Sequence, residues 1–151
     1  MRFLKGRVPA MSSAIWSEAP KLAIPESPAI LSDSRHLWLA YETTMEPRRE
    51  MYAVVKFDDV IDYRLSPIND EGLGEHPCIS AGIKVYEFNE ILNSPLTLKW
   101  AVLKGRHFVV SFKDETLDVV SKTAKVVANS LRSRNALTAL MDFMSELRNQ
   151  V

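Results

Sequence analysis

The sequence predicts an α+β fold: a mostly antiparallel sheet packed against a C-terminal amphipathic helix. Three observations predict it. HLWLAYET at 36–43 places Leu37, Leu39 and Tyr41 on one face and Trp38, Ala40 and Glu42 on the other, the period of a strand. HFVVSF and TLDVVSKTAKVV, joined by Lys113-Asp114-Glu115, form a hairpin pattern. SRNALTALMDFMSELRNQV then changes to helical spacing. Local hairpins without repeated strand–helix–strand alternation favour antiparallel pairing.

Residues 1–34 read as an extended or partly disordered N-terminal arm, and 35–151 as a single α+β domain. The arm holds four of the eight prolines and isolated hydrophobes: Phe3, Leu4, Ile15, Trp16, Leu22, Ile24 and Ile30. Trp16 is the residue that would pin it to the body. With no obvious partner in the body, these hydrophobes also raise the expectation of a homodimer.

After the first strand, TMEPRRE is a polar connection. MYAVVKF (51–57) is a second strand, rich in β-branched and aromatic residues. Asp58-Asp59 interrupts it, and VIDYRL (60–65) is either a third strand or its continuation past a bulge. SPINDEGLGEHPC is a loop. GIKVYEFNEIL (82–92) reads as extended. Ser94 and Pro95 carry a helix-start signature, so LTLKWAVLKG is expected to be a short helix closed by Gly105, against a competing strand reading. In the last helix Leu137, Leu140, Met141, Met144, Leu147 and Val151 form the stripe expected to be buried, with Ser133 as its cap.

Composition excludes several function classes. The chain has 151 residues, one domain's worth, with 19 basic and 19 acidic side chains and no net charge. That balance disfavours nucleic-acid and anionic-membrane partners. The single cysteine, Cys78, excludes an internal disulfide framework. No apolar run approaches the ~18–20 residues of a membrane span. The N-terminal hydrophobes break at Gly6, Arg7 and Pro9 before a signal-peptide core forms, so the cytoplasm is the expected location.

NDEGLGEHPC (69–78) is the densest cluster of reactive groups, and His76, Asp70 and Glu71 are its catalytic candidates. A zinc site draws on Cys-x₂₋₄-Cys or His-x₃₋₅-His pairs, which this loop lacks. Pro77 holds His76 extended and away from Cys78, so no dyad is expected there. Adjacent carboxylates (Asp70/Glu71, Asp58/Asp59, Asp114/Glu115) point to opposite faces and fit turns better than shared acid–base work. Neither phosphate-loop pattern occurs, and no metal or other cofactor is expected. His76 is expected to bond back onto its own loop.

Three segments in order, NDEGLGEHP, GIKVYEFNEILNSP and RHFVVSFKDETLDVVSKTAKVV, resemble a family of small uncharacterised bacterial proteins. The family pattern is an N-D-E-x-L-x-x-H-P loop, a Gly-aliphatic strand with a tyrosine, an N-S pair and an F-x-D-x-T hairpin. Asn69, Asp70, Glu71, Leu73, His76, Pro77, Gly82, Tyr86, Glu90, Asn93, Ser94, Phe112, Asp114 and Thr116 match it, over about residues 36–125. The resemblance implies a β-rich fold and no particular activity. Where the family carries a longer His-rich segment after the N-S pair, this chain has only LTLKWAVLKG.

Two functions follow as expectations. One is a non-enzymatic cytoplasmic protein-interaction module, of an immunity or antitoxin kind, binding one protein partner. The alternative is a small enzyme or ligand-binding protein whose pocket is lined by the 69–78 loop, with a histidine converging on Asp70, Glu71 or Glu75.

Overall fold

A computed structural model describes residues 10–23, 28–43 and 50–150. The N-terminal signal reading, Phe3, Leu4, Ile24, Pro25, the 44–49 connection with Arg48-Arg49, and Val151 lie outside these residues. The described residues form a seven-stranded antiparallel sheet with a C-terminal helix, an α+β fold as expected. The strands are β1 (Ser12–Ile15), β2 (Ala29–Ser32), β3 (His36–Glu42), β4 (Met51–Ser66), β5 (Phe88–Leu92), β6 (Arg106–Ser111) and β7 (Thr116–Arg132). Their order is β1-β5-β6-β7-β4-β3-β2. The helices are α1 (Pro95–Lys99) and α2 (Ala136–Asn149). Among the described residues no helix is long and apolar enough to cross a membrane.

The sheet curls on itself. β5 and β3 are four strand spacings apart, about 19 Å in a flat sheet. Yet the Tyr41 and Phe88 ring centroids lie 6.5 Å apart. The inside of the curl is the main core: Leu37, Leu39, Val55, Phe57, Phe108, Val110, Leu117 and Val119 pack there around these two rings. Phe88 stacks on Phe57 and meets Phe108 edge-on, geometries that favour aromatic pairs.

The N-terminal segment closes the mouth of the curl. β1 pairs with β5 at one edge of the sheet, and β2 pairs with β3 at the other. Between them, the Trp16 N–H donates to Phe88 O and Leu22 bridges to Thr43. Tyr41 Oη donates to Pro20 O at 2.8 Å. Trp16 and Leu22 are buried in the main core. Their partners are therefore in their own chain, which removes the reason for expecting a homodimer from them. The change of composition at 34/35 is not a packing boundary, because one sheet runs across it.

Several element expectations resolve. Residues 60–65 continue β4, with register shifts at Val60/Asp62 and a left-handed Asp59 at φ 51°. Only Phe88–Leu92 of the 82–92 stretch is a strand. The buried Asn89 side chain bonds the Lys84 N–H and the Lys84, Glu87 and Val109 carbonyls, and Tyr86 sits at φ 58°. Both features curl the segment into a loop. α1 forms with Ser94 and Pro95 as expected, but Gly105 does not close it. Lys104 takes the left-handed position at φ 52° after the short turn Ala101–Leu103. Gly105 is small for another reason: a Cβ there would lie 2.8 Å from Ile61 Cδ1 and 2.9 Å from Val120 Cγ1.

α2 is rotated from the expected stripe. Ala136, Ala139 and Leu140 are its buried face, with Phe143 and Met144 beside them, against Trp38, Ala40, Tyr52 and Val54. Leu137 and Met141 are 62% and 64% exposed. Alanines let the helix approach the sheet closely, so the small residues and not the long ones mark the contact. The cap is Asn135, whose Oδ1 accepts from Thr138 N–H at 2.7 Å, rather than Ser133.

Candidate ligand-binding site

The outer face of the sheet has two ends, and α2 covers one. The loop between β4 and β5 covers the other. It is fastened at both margins. Thr116 Oγ1 donates to Ile68 O at 2.7 Å, Asp70 N–H to Lys113 O, and Ser13 Oγ to Ala81 O at 2.9 Å. Leu73, Cys78 and Ile83 pack from the loop onto Ile91 and Val109. Between the loop, α1 and the sheet lies a cavity of about 520 Å³. Its walls are largely apolar, including Ile68, Pro77, Leu96 and Val120; its polar lining includes Asp62, Arg64, Ser94, His76, His107 and Asp118.

Strand register brings the central pair together. Asp118 opposes Val109 and Val120 opposes His107, so Asp118 and His107 are diagonal neighbours on one face. His107 Nε2 is 2.8 Å from Asp118 Oδ1. His76, delivered by the loop, places Nε2 at 2.9 Å from Asp118 Oδ2 and 3.0 Å from Oδ1. His107 Nδ1 is 2.7 Å from Ser94 Oγ, which also accepts from Leu96 N–H at 3.2 Å as the cap of α1. His76 Nδ1 accepts from Cys78 N–H at 2.9 Å.

The bond network assigns the protons. A backbone N–H at His76 Nδ1 requires a bare lone pair there, so His76 carries its proton on Nε2 and gives it to Asp118. An ionised carboxylate only accepts, so His107 also gives its Nε2 proton to Asp118, while its Nδ1 is bonded to the Ser94 hydroxyl. Two chains of donors therefore end on one carboxylate. Burial pushes Asp118 up, but the bonds from His107 and His76 outweigh it and hold the carboxyl below its usual range. At His76, burial opposes charge while Asp118 and the Cys78 thiol favour it, on balance raising it to about 9. The Cys78 N–H opposes charge again, since an imidazolium has no free lone pair to accept it. The bonded geometry is that of the neutral ring.

The same assignment bears on metal binding. A nitrogen that carries a proton is not a ligand, so His76 Nε2 is closed to a metal while Cys78 N–H holds Nδ1. Among the described residues no group of three or more His, Cys, Asp and Glu is arranged to hold an ion. The order Ser94–His107–Asp118 is that of nucleophile, base and orienting carboxylate. Ser94 is fully buried, however, and its oxygen already caps α1. In this geometry it positions His107. Asp118 is the member of the chain with open surface, its side chain 16% exposed.

The sequence candidates divide. His76 reaches the cavity and its own loop at once, one nitrogen to each. Asp70 and Glu71 do not line the cavity. The Asp70 carboxylate accepts from Tyr86 Oη and the Glu71 N–H, which hold it below its ordinary range despite the opposing desolvation, and Glu71 is exposed. The expected convergence of a histidine on Asp70, Glu71 or Glu75 is thus replaced by convergence on Asp118. His36 stands apart, bonded to Asp33. Sequence reasoning missed Asp118. The available signal was a carboxylate on a strand flanked by Leu117, Val119 and Val120, where local turn chemistry does not explain it.

Comparison with family models, with curated proteins and with solved structures returns no match for this chain.

Proposed function

We propose that this chain is a cytoplasmic small-molecule-binding protein whose site is the cavity beneath the 67–87 loop. The observation that carries the reading is the convergence of His76 and His107 on a carboxylate that opens into that cavity. A mostly apolar cavity with a few converging polar groups is the usual form of a small-molecule site. Buried titratable groups bonded to one another are costly unless position matters. The test is a fragment screen followed by amide NMR. Shifts concentrated at Ile68, Cys78, Leu96 and Val120 support the reading. A screen in which no fragment perturbs these residues at millimolar concentration overturns it.

The Ser94–His107–Asp118 order favours a second reading, a hydrolase acting in the same cavity. A fluorophosphonate probe distinguishes the two. Labelling of Ser94 that Ser94→Ala abolishes establishes the hydrolase; the burial of Ser94 leads us to expect none. The protein-interaction reading has a separate support in the exposed Leu137 and Met141, which border a surface groove with Ile30 and Leu31. Its test is a pull-down from native lysate with Leu137→Ser/Met141→Ser as the control, and a stoichiometric partner lost in that variant would support it.

A further inference from the structure

We propose that the cavity takes a ligand with an ammonium-type cationic head, seated on Asp118, and a compact apolar body against Ile68, Pro77, Leu96 and Val120. The inference rests on the binding-site reading above and names the class of ligand.

Lone pairs and charges at Asp118 select the head group. A carboxylate offers about four acceptor positions. His107 uses one on Oδ1, and the His76 proton is shared between Oδ1 and Oδ2. At least one position on Oδ2 is left, and the side chain's remaining exposure is toward the cavity it lines. Both imidazoles direct an N–H at Asp118 in the bonded geometry, and His107 Nδ1 and the Ser94 hydroxyl are bonded to each other. Of the other donors lining the cavity, Arg64 and Tyr63 are exposed and the Cys78 thiol is a weak donor. A ligand must therefore bring the donor. The fixed charges lining the cavity are the carboxylates Asp62 and Asp118 and the Arg64 guanidinium. Asp62 and Arg64 are exposed and so are screened, whereas Asp118 sits at the floor, where a charge interaction is weakened least by solvent. At Asp118 an anionic head would meet a carboxylate, and the guanidinium that could receive it, Arg64, stands exposed and screened. A neutral hydroxyl head would make the bond without the charge.

The experiment uses the full chain and three probes of equal shape: benzylamine, benzyl alcohol and benzoate, each titrated at pH 7.5 and followed by amide NMR. Benzylammonium is expected to bind in the millimolar range and about tenfold more tightly than benzyl alcohol, with benzoate weakest. Added salt is expected to weaken the ammonium and leave the alcohol unchanged. In Asp118→Asn the ammonium is expected to fall to the level of the alcohol. The wild-type comparison needs no variant, so a variant that fails to fold leaves the test intact. If alcohol or benzoate binds as well as the ammonium, the ligand class is overturned and the binding site stands. If none of the three shifts the cavity amides, and a broad fragment set also fails, both fall.

Discussion

At one end of the outer sheet face, α2 lies on Trp38, Ala40, Tyr52 and Val54; at the other, a loop lies on Val109, His107 and Asp118. The same long strands, β4 and β7, run beneath both. The helical end is closed by Ala136, Ala139 and Leu140, which fill it with hydrocarbon. The loop end keeps a cavity and a chain of buried polar groups. A sheet that needed only to be stable would be served equally well by hydrocarbon at both ends, since apolar replacements of buried ion pairs are often neutral or stabilising. The difference fits the proposed division, stability at one end and ligand binding at the other.

The sharpest way to break that contrast is at Asp118. Removing the carboxylate with Asp118→Ala leaves two buried imidazole N–H groups without their acceptor. We expect a loss of about 3–5 kcal/mol in urea unfolding. Replacing the whole chain with hydrocarbon, as Asp118→Val with His76→Leu and His107→Leu, is expected to recover most of that loss and to abolish ligand binding. A triple variant as unstable as Asp118→Ala would show that the polar chain holds the fold, and the contrast would fail.

The matching change at the other end is Leu140→Ala. It is expected to cost about 2–4 kcal/mol through lost contacts and a cavity, and to leave the amide shifts of the loop end unchanged. Coupling between the two, read from the double variant with Asp118→Ala, is expected to be small because they share no partner.

Acid separates the ends as well. The folded-state pKa of Asp118 lies below its ordinary value of 3.8. Its contribution to stability is therefore fully present above about pH 4 and lost as pH falls through the lower folded value. Asp33, Asp59 and Asp70 are also lowered, Asp33 exposed and the other two half-buried, and all three are unchanged in Asp118→Asn, so the Asp118 share is isolated by difference. Wild type is expected to lose stability between pH 4 and pH 2 more steeply than Asp118→Asn. Parallel curves would remove the ionised carboxylate from the account.

How much of this was legible in the sequence depended on whether a residue's role was local. The hairpin of 107–112 and 116–127 and the Ser94 cap were readable, because turn chemistry and alternation are local. The curl was not, since it depends on Phe88 meeting Tyr41 across four strand spacings. His76 was singled out, but its partner Asp118 lies 42 residues away and was hidden within an ordinary alternating strand. Asp70 and Glu71 attracted notice by density alone, and their bonds turned out to be those of a turn. The α2 stripe was misplaced because hydrophobic length was weighed above fit: Leu137 is longer than Ala136, but alanine is what the close helix–sheet contact admits.

The smallest expected effect tests that last point. Asn135 Oδ1 accepts an α2 N–H, whereas the buried Ser133 Oγ has no hydrogen-bond partner among the described residues. Asn135→Ala is expected to cost about 1 kcal/mol, the usual loss of an N-cap. Ser133→Ala removes a buried hydroxyl without a bond and is expected to be neutral or slightly stabilising. The two sites lie two residues apart and both outside the sheet, so their unfolding midpoints read the helix start directly. If Ser133→Ala is the costlier, α2 begins earlier than Ala136. Its helical phase would then have to be redrawn, and with it the assignment of Ala136 and Ala139 to the hydrocarbon end.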